Sequence, residues 1–153
     1  MKILPDINLA EFDAPSESNF FALPQGLIGF PAYTRAELLY QPNQLPFIWM
    51  KLHGPIDSIY FIVVEPAGVV PDYDPELFEQ DAADLGLTSS ADALVLNIVS
   101  LKNQSPIDAT VNLLGPIIVN RRRQIARQLV ISNYSRYSAQ YPLLESRSAA
   151  ACA

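Results

Sequence analysis

Residues Ala109–Asn120 read ATVNLLGPIIVN, two apolar runs on either side of Gly115-Pro116. Val111 with Leu113-Leu114 forms the first run and Ile117–Val119 the second. β-Branched residues dominate, and each run is too short for a buried helix, so the stretch predicts two strands. Gly115 offers backbone angles closed to other residues, and Pro116 has no amide hydrogen for a ladder. The chain is therefore expected to change direction there without leaving the core. Asn112 and Asn120 bracket the bend and need hydrogen-bond partners if they are buried.

The same reading extends outward in both directions. Downstream, Arg121–Arg123 and Arg127 precede QLVIS (Gln128–Ser132), a strand expected to form a hairpin with Ile117–Asn120 across the arginines. From Asn133 on, Tyr134, Tyr137 and Tyr141 stand among serines, and residues 145–153 read as a disordered tail. Upstream, Ala93–Leu101 has a strand pattern, and Lys102–Ile107 is a polar loop. Asp74 before Pro75 and Glu76 reads as a helix start, with Asp74 as N-cap. Leu77, Phe78, Ala82 and Leu85 would share one apolar face over about 75–85, with Glu79, Gln80 and Asp84 turned away, and Gly86 closes the helix.

Ser58–Glu65 (SIYFIVVE) is nearly all apolar and is expected to be a central strand covered on both faces. Phe47–Leu52 is a strand carrying Trp49, expected in the core. Tyr33–Leu39 reads as a helical turn or bend, with a strand beginning over Glu37–Tyr40. Gly26 and Gly29 flank Leu27-Ile28 in a tight reversal that should pin both apolar side chains inward. Phe20–Leu23 is a short strand, and Ile7, Leu9 and Phe12 suggest an edge strand. The elements are those of a mainly β domain of 153 residues with one short amphipathic helix.

Charge is distributed unevenly. The net charge is −6, yet no Lys or Arg occurs between Leu52 and Leu101. That interval holds Asp57, Glu65, Asp72, Asp74, Glu76, Glu79, Asp81, Asp84 and Asp92, a negative field that attracts basic partners and repels nucleic acid. Apolar runs are too short to cross a bilayer, the start MKILPDIN lacks a signal-peptide pattern, and Cys152 has no internal partner, so a cytoplasmic location is expected. His53 is the lone histidine, in a turn, with no second ligand to make a metal site. No nucleophile elbow, zinc-binding helix or phosphate loop occurs, so neither an enzyme, a metal nor a cofactor is expected.

The sequence resembles the FliW family of bacterial flagellar assembly factors from about Phe20 to Leu144. The resemblance is carried by LPQGLIGF (Leu23–Phe30), PFIWMKL (Pro46–Leu52), IYFIVVEP (Ile59–Pro66), PDYD (Pro71–Asp74), DLGL (Asp84–Leu87) and TVNLLGPIIVN (Thr110–Asn120), in that order. It implies a compact β-barrel-like domain of antiparallel strands over residues 1–144. It also implies a non-enzymatic protein that binds the translational regulator CsrA and relieves its repression of flagellin synthesis, and that binds flagellin itself. Neither direct nucleic-acid binding nor membrane association is expected. Combined with the charge map, this places the regulator's contact at Asp57, Ser58, Asp72, Tyr73, Asp74, Glu76 and Glu79. Gly26, Gly29, Asn112, Gly115, Pro116 and Asn120 are assigned to structure. The family usually has a glycine in the hairpin where this chain has Ala126, which leaves the turn type open. A cytoplasmic chaperone acting mainly on flagellin through an apolar groove, and a barrel holding a small ligand, are the alternatives.

Overall fold

The computed structural model describes residues 19–101 and 108–143. The edge strand expected at Ile7–Phe12, the loop at Lys102–Ile107 and the tail at 145–153 lie outside the described residues. The strands are β1 (Phe20–Ala22), β2 (Arg35–Leu39), β3 (Ile48–His53), β4 (Ser58–Val64), β5 (Ala93–Leu101), β6 (Ala109–Val111), β7 (Ile117–Asn120), β8 (Ile125–Gln128) and β9 (Tyr141–Pro142). The helix α1 covers Glu79–Asp84. Strand order is β4-β3-β2-β1-β8-β7-β5-β6-β9, and a further β4–β5 pairing closes the first seven strands into a barrel. All pairings but one are antiparallel, as expected; the exception is β1–β8, parallel through the single pair Ala22 and Ile125.

ATVNLLGPIIVN supplies β6 and β7, and both lie along β5. Val111 pairs with Val99, and Ile117 pairs with Leu96. The intervening residues bulge away and are held by the Asn112 side chain, whose Oδ1 accepts from Leu114 N (3.0 Å) and Gly115 N (3.1 Å). This is an Asx turn, and it sets the bend without a left-handed residue. Gly115 is absent from the residues with positive φ, which corrects the expectation that its special backbone freedom makes the turn. The left-handed glycines are Gly26, Gly29, Gly68 and Gly86.

Two apolar clusters share the β5–β7 wall. Leu94, Leu96, Ile117 and Val119 point into the barrel with Leu38, Met50 and Leu52. Val95, Val99, Ile118 and Val111 point the other way, against Leu77, Ala82, Leu85, Leu129 and Ile131. The continuous apolar runs in β5 and β7 reflect this burial on both faces. The doubly covered strand was expected at β4, but there only Val63 and Val64 are fully buried, while Ser58 and Tyr60 face solvent. β3 alternates cleanly, with Ile48, Met50 and Leu52 inside, so Trp49 projects outward, 37% exposed, against the expected core position. Leu27 is buried as expected, but Ile28 is 67% exposed, because a tight reversal sends adjacent side chains to opposite sides. Leu38, Ile48, Met50, Leu52, Leu94, Leu96 and Ile117, each under 2% exposed, pack together in the barrel interior.

The helix starts later than its sequence pattern suggests. Its N-cap is Phe78 with no side-chain cap, so Asp74 is not the cap, and Phe78 is exposed rather than on the buried face. Its end matches the pattern. Gly86, at φ 71°, donates to Ala83 O, and Leu87 N donates to Ala82 O, the paired bonds of a Schellman motif. The hairpin is as expected but shifted: β8 is Ile125–Gln128 instead of Gln128–Ser132, with Asn120 opposite Ile125. The left-handed position of its turn is Gln124, φ 53°, and Ala126 is a buried strand residue, so the missing glycine imposes no strain at 126.

Candidate functional site

Residues Asp72–Glu76 cross the outside of the second cluster as a strap with few ladder bonds of its own. Residues 131–137 hold it instead. Ser132 N donates to Glu76 O (2.7 Å), and Glu76 N donates to Asn133 Oδ1 (3.0 Å). Asn133 Nδ2 donates to Asp74 O (2.8 Å), and Asp74 N donates to the Tyr137 hydroxyl (2.8 Å). Tyr137 in turn donates to Asp72 O (3.4 Å). Asn and Tyr thus satisfy backbone groups that no neighbouring strand reaches, which fixes where the strap's carboxylates stand.

Tyr73 anchors the strap from below. It is 5% exposed, edge-on to the Tyr137 ring at 4.9 Å, and its hydroxyl donates to Leu113 O at 2.6 Å. Asn97 Nδ2 donates to the same hydroxyl (3.3 Å) and to Asn112 O (2.9 Å). Burial raises the Tyr73 pKa; the Asn97 hydrogen bond opposes this and the neighbouring Tyr137 adds to it. Tyr73 was expected on the contact surface, but it is a core residue. Its hydroxyl gives it a partner in the bend, and its ring fills the cluster.

The acidic side chains separate into groups. Asp72 and Glu79 are exposed, while Asp74 and Glu76 are half-buried. On α1, Asp81 and Asp84 face Arg127 at 3.8 and 3.6 Å, and Gln80 Nε2 donates to Asp84 (2.8 Å). The helix acids are therefore partly neutralised within the chain by Arg127, while Arg122–Gln124 form an exposed hairpin tip. Asn120 completes that contact: Nδ2 donates to Leu85 O (2.8 Å) at the helix end, and Oδ1 accepts from Arg122 N and Arg123 N in the turn.

Asp57 and Ser58 stand elsewhere. They begin β4, whereas Tyr73 lies by Asn97, the partner of Val64 at the other end of that strand. Seven strand residues span about 20 Å, so the structure does not bring the 57–58 turn together with the 72–79 strap. Asp57 accepts from the Tyr33 hydroxyl at 2.7 Å, a bond that, with burial, raises the Tyr33 pKa. Ser58 Oγ lies 3.5 Å from His53 Nδ1, and Glu37 lies 3.4 Å from Nε2; both contacts are long and sit on the open outer face of the sheet. Among the described residues no three His, Cys, Asp or Glu side chains cluster as metal ligands. No helix among them is long and apolar enough to cross a membrane.

The sequence reading missed Asn133 and Tyr137. Their signal was present in the tyrosines at 134, 137 and 141, since large aromatics in a polar stretch mark chain that docks on a core. It also missed an apolar outer cleft of about 370 Å³ between the 43–47 loop, Trp49, Ile62 and Leu101.

A seven-stranded closed barrel with an acidic strap laced to its outside defines a small β-barrel protein. Residues 9–143 match the family described as FliW protein. The chain is 34% identical over 128 residues to the flagellar assembly factor FliW of Natranaerobius thermophilus, covering 84% of this chain and 83% of that one. It is 31% identical over 133 residues to the flagellar assembly factor FliW of Geobacter sulfurreducens, covering 86% and 80%. A crystal structure of the flagellar assembly factor FliW superposes with a TM-score of 0.71 at 24% identity, over 85% of this chain and 89% of that one, and shows the same fold. The chain belongs to the FliW family of flagellar assembly factors and has a role in flagellum assembly.

Proposed function

We propose that this protein acts without catalysis, in the cytoplasm, by binding a CsrA-type translational regulator through its acidic strap and binding flagellin, so that flagellin synthesis follows flagellin export. The observation that supports this is the strap itself. Asp72, Asp74 and Glu76 lie on backbone held by Asn133 and Tyr137, with Glu79 following at the start of α1, in a stretch from Leu52 to Leu101 without a single Lys or Arg. An RNA-binding regulator presents basic residues, and preset carboxylates attract them and repel phosphate near the docked complex. Asp57 and Ser58, at the far end of β4, would serve a second, separate contact.

The test is titration calorimetry of the full chain against CsrA and against flagellin monomer at rising salt. A CsrA complex that weakens steeply with salt supports the reading; one insensitive to salt, or no complex with either protein, overturns it. The exposed apolar cleft at Trp49 favours a second reading, a chaperone acting mainly on flagellin. In that case flagellin binding is salt-insensitive and falls when Trp49 is replaced by Ser, while CsrA binding is absent.

A further inference from the structure

The arginine run has a consequence outside the acidic strap. A cleft of about 480 Å³ opens where β1 meets the β7–β8 turn, lined by Phe20, Ala22, Thr34, Arg35, Arg123 and Gln124. It lies at the seam where β1 and β8 share a single register pair. Two arginines line it, from β2 and from the β7–β8 turn. Arg35 Cζ stands 4.4 Å from the centroid of the Phe20 ring, a cation–π contact that orients the side chain. Arg123 lies over Gly86, where an added Cβ would stand 2.6 Å from its Nη1, and its backbone N–H is held by Asn120 Oδ1 at 3.3 Å.

Among the described residues Arg122 and Arg127 face carboxylates, at Asp92 and at Asp81 and Asp84, but Arg35 and Arg123 do not. Two like charges left uncompensated at one cleft, in a chain of net charge −6, form a local site for an anion. We propose that this cleft binds the carboxylates of a short acidic, aromatic-bearing peptide segment of a partner protein. Each guanidinium fork can donate to a carboxylate in a bidentate pair, and the Phe20 ring beside Arg35 offers apolar contact. A polyanion fits less well. A nucleic acid running out of the cleft meets the exposed carboxylates of a small acidic molecule, whereas a short peptide samples only the local positive field.

The experiment is fluorescence anisotropy of the full chain with a labelled peptide of alternating Glu and Tyr, beside a Gln-Tyr peptide of equal length and a single-stranded RNA oligonucleotide. The Glu-Tyr peptide is expected to bind and the Gln-Tyr peptide not. Arg35→Gln and Arg123→Gln should each weaken binding about tenfold, and the double variant should bring it to the Gln-Tyr level. Arg136→Gln, whose guanidinium instead lies near the Tyr137 ring, should bind as the parent does. Both cleft arginines are exposed, so thermal melts of these variants should overlay the parent's. Equal binding of the two peptides, or undiminished binding by the double variant, overturns the proposal. RNA bound more tightly than the Glu-Tyr peptide, and lost in the same variants, overturns it in favour of a nucleic-acid site.

Discussion

Asp74 separates a residue's backbone from its side chain. Its N–H and C=O are held by Tyr137 and Asn133, while among the described residues its carboxylate enters no hydrogen bond. Asp74→Asn should therefore shift stability by less than about 0.5 kcal/mol in urea unfolding, yet flatten the salt dependence of the proposed CsrA binding; identical salt slopes would remove Asp74 from the proposed contact. Glycines divide in the same way. At Gly26, φ is 63° and an added Cβ would run into the Phe30 carbonyl and Pro31, so Gly26→Ala should cost about 2–3 kcal/mol. At Gly115 an added Cβ meets Asn112 Nδ2 and Gln128 Nε2 at 3.4 Å and Leu129 O at 3.8 Å, ordinary contact distances, so Gly115→Ala should cost less than about 1 kcal/mol. Both positions read alike in sequence, because a Gly beside a turn signal does not disclose its φ. Tyr73 adds a pH dependence. Its folded pKa is raised above the ordinary value of about 10, so its contribution to stability is complete below that pH. It is lost above it, as the unfolded chain releases a proton that the folded chain keeps. Unfolding midpoints should fall on the alkaline side of about pH 10, less steeply in Tyr73→Phe.

Elements were legible where one periodicity governed them, and misplaced where a tertiary contact took over. β5 appears at its predicted bounds because both of its faces are buried and nothing competes with its apolar run. α1 lost its expected first turn because residues 131–137 draw Asp74 and Glu76 into extended pairing, which removes the backbone donors that a capping Asp74 would serve. β8 moved three residues towards the N-terminus because Asn120 fixes the turn, accepting from Arg122 and Arg123 while donating to the end of α1. Asn120 therefore joins three elements from a buried position. Asn120→Ala strands the Leu85 carbonyl and frees the turn, at an expected cost of about 2–3 kcal/mol in thermal or urea unfolding. The partly exposed Arg127 pairs should contribute less than about 1 kcal/mol, so Arg127→Gln should leave the melt nearly in place.

At the scale of the molecule, the barrel is closed by two unequal seams. β4 and β5 share three register pairs, and β1 and β8 share one. Strand content was legible from residue patterns, and the barrel from the family resemblance; the doubly covered strands were not, being expected at β4 and found at β5 and β7, nor was the parallel closure, since one pair in short strands leaves no periodicity to read. Gln128 compensates for the weak seam. Its Oε1 accepts from Ile28 N at 3.0 Å, and its Nε2 donates to Gly115 O at 3.1 Å, tying the loop after β1 to the bend before β7. The Asn112–Pro116 bend is thus joined to the loop after β1 through one amide side chain. Hydrogen exchange should find β5 and β7 the most protected strands and β1 among the least, because exchange follows the ease of local opening. Gln128→Ala should speed exchange at Ile28 and across Phe20–Ala22, with little change in β5. Uniform acceleration across all strands would mean instead that the barrel opens only as a whole, and that its weak seam is not a separate unit of motion.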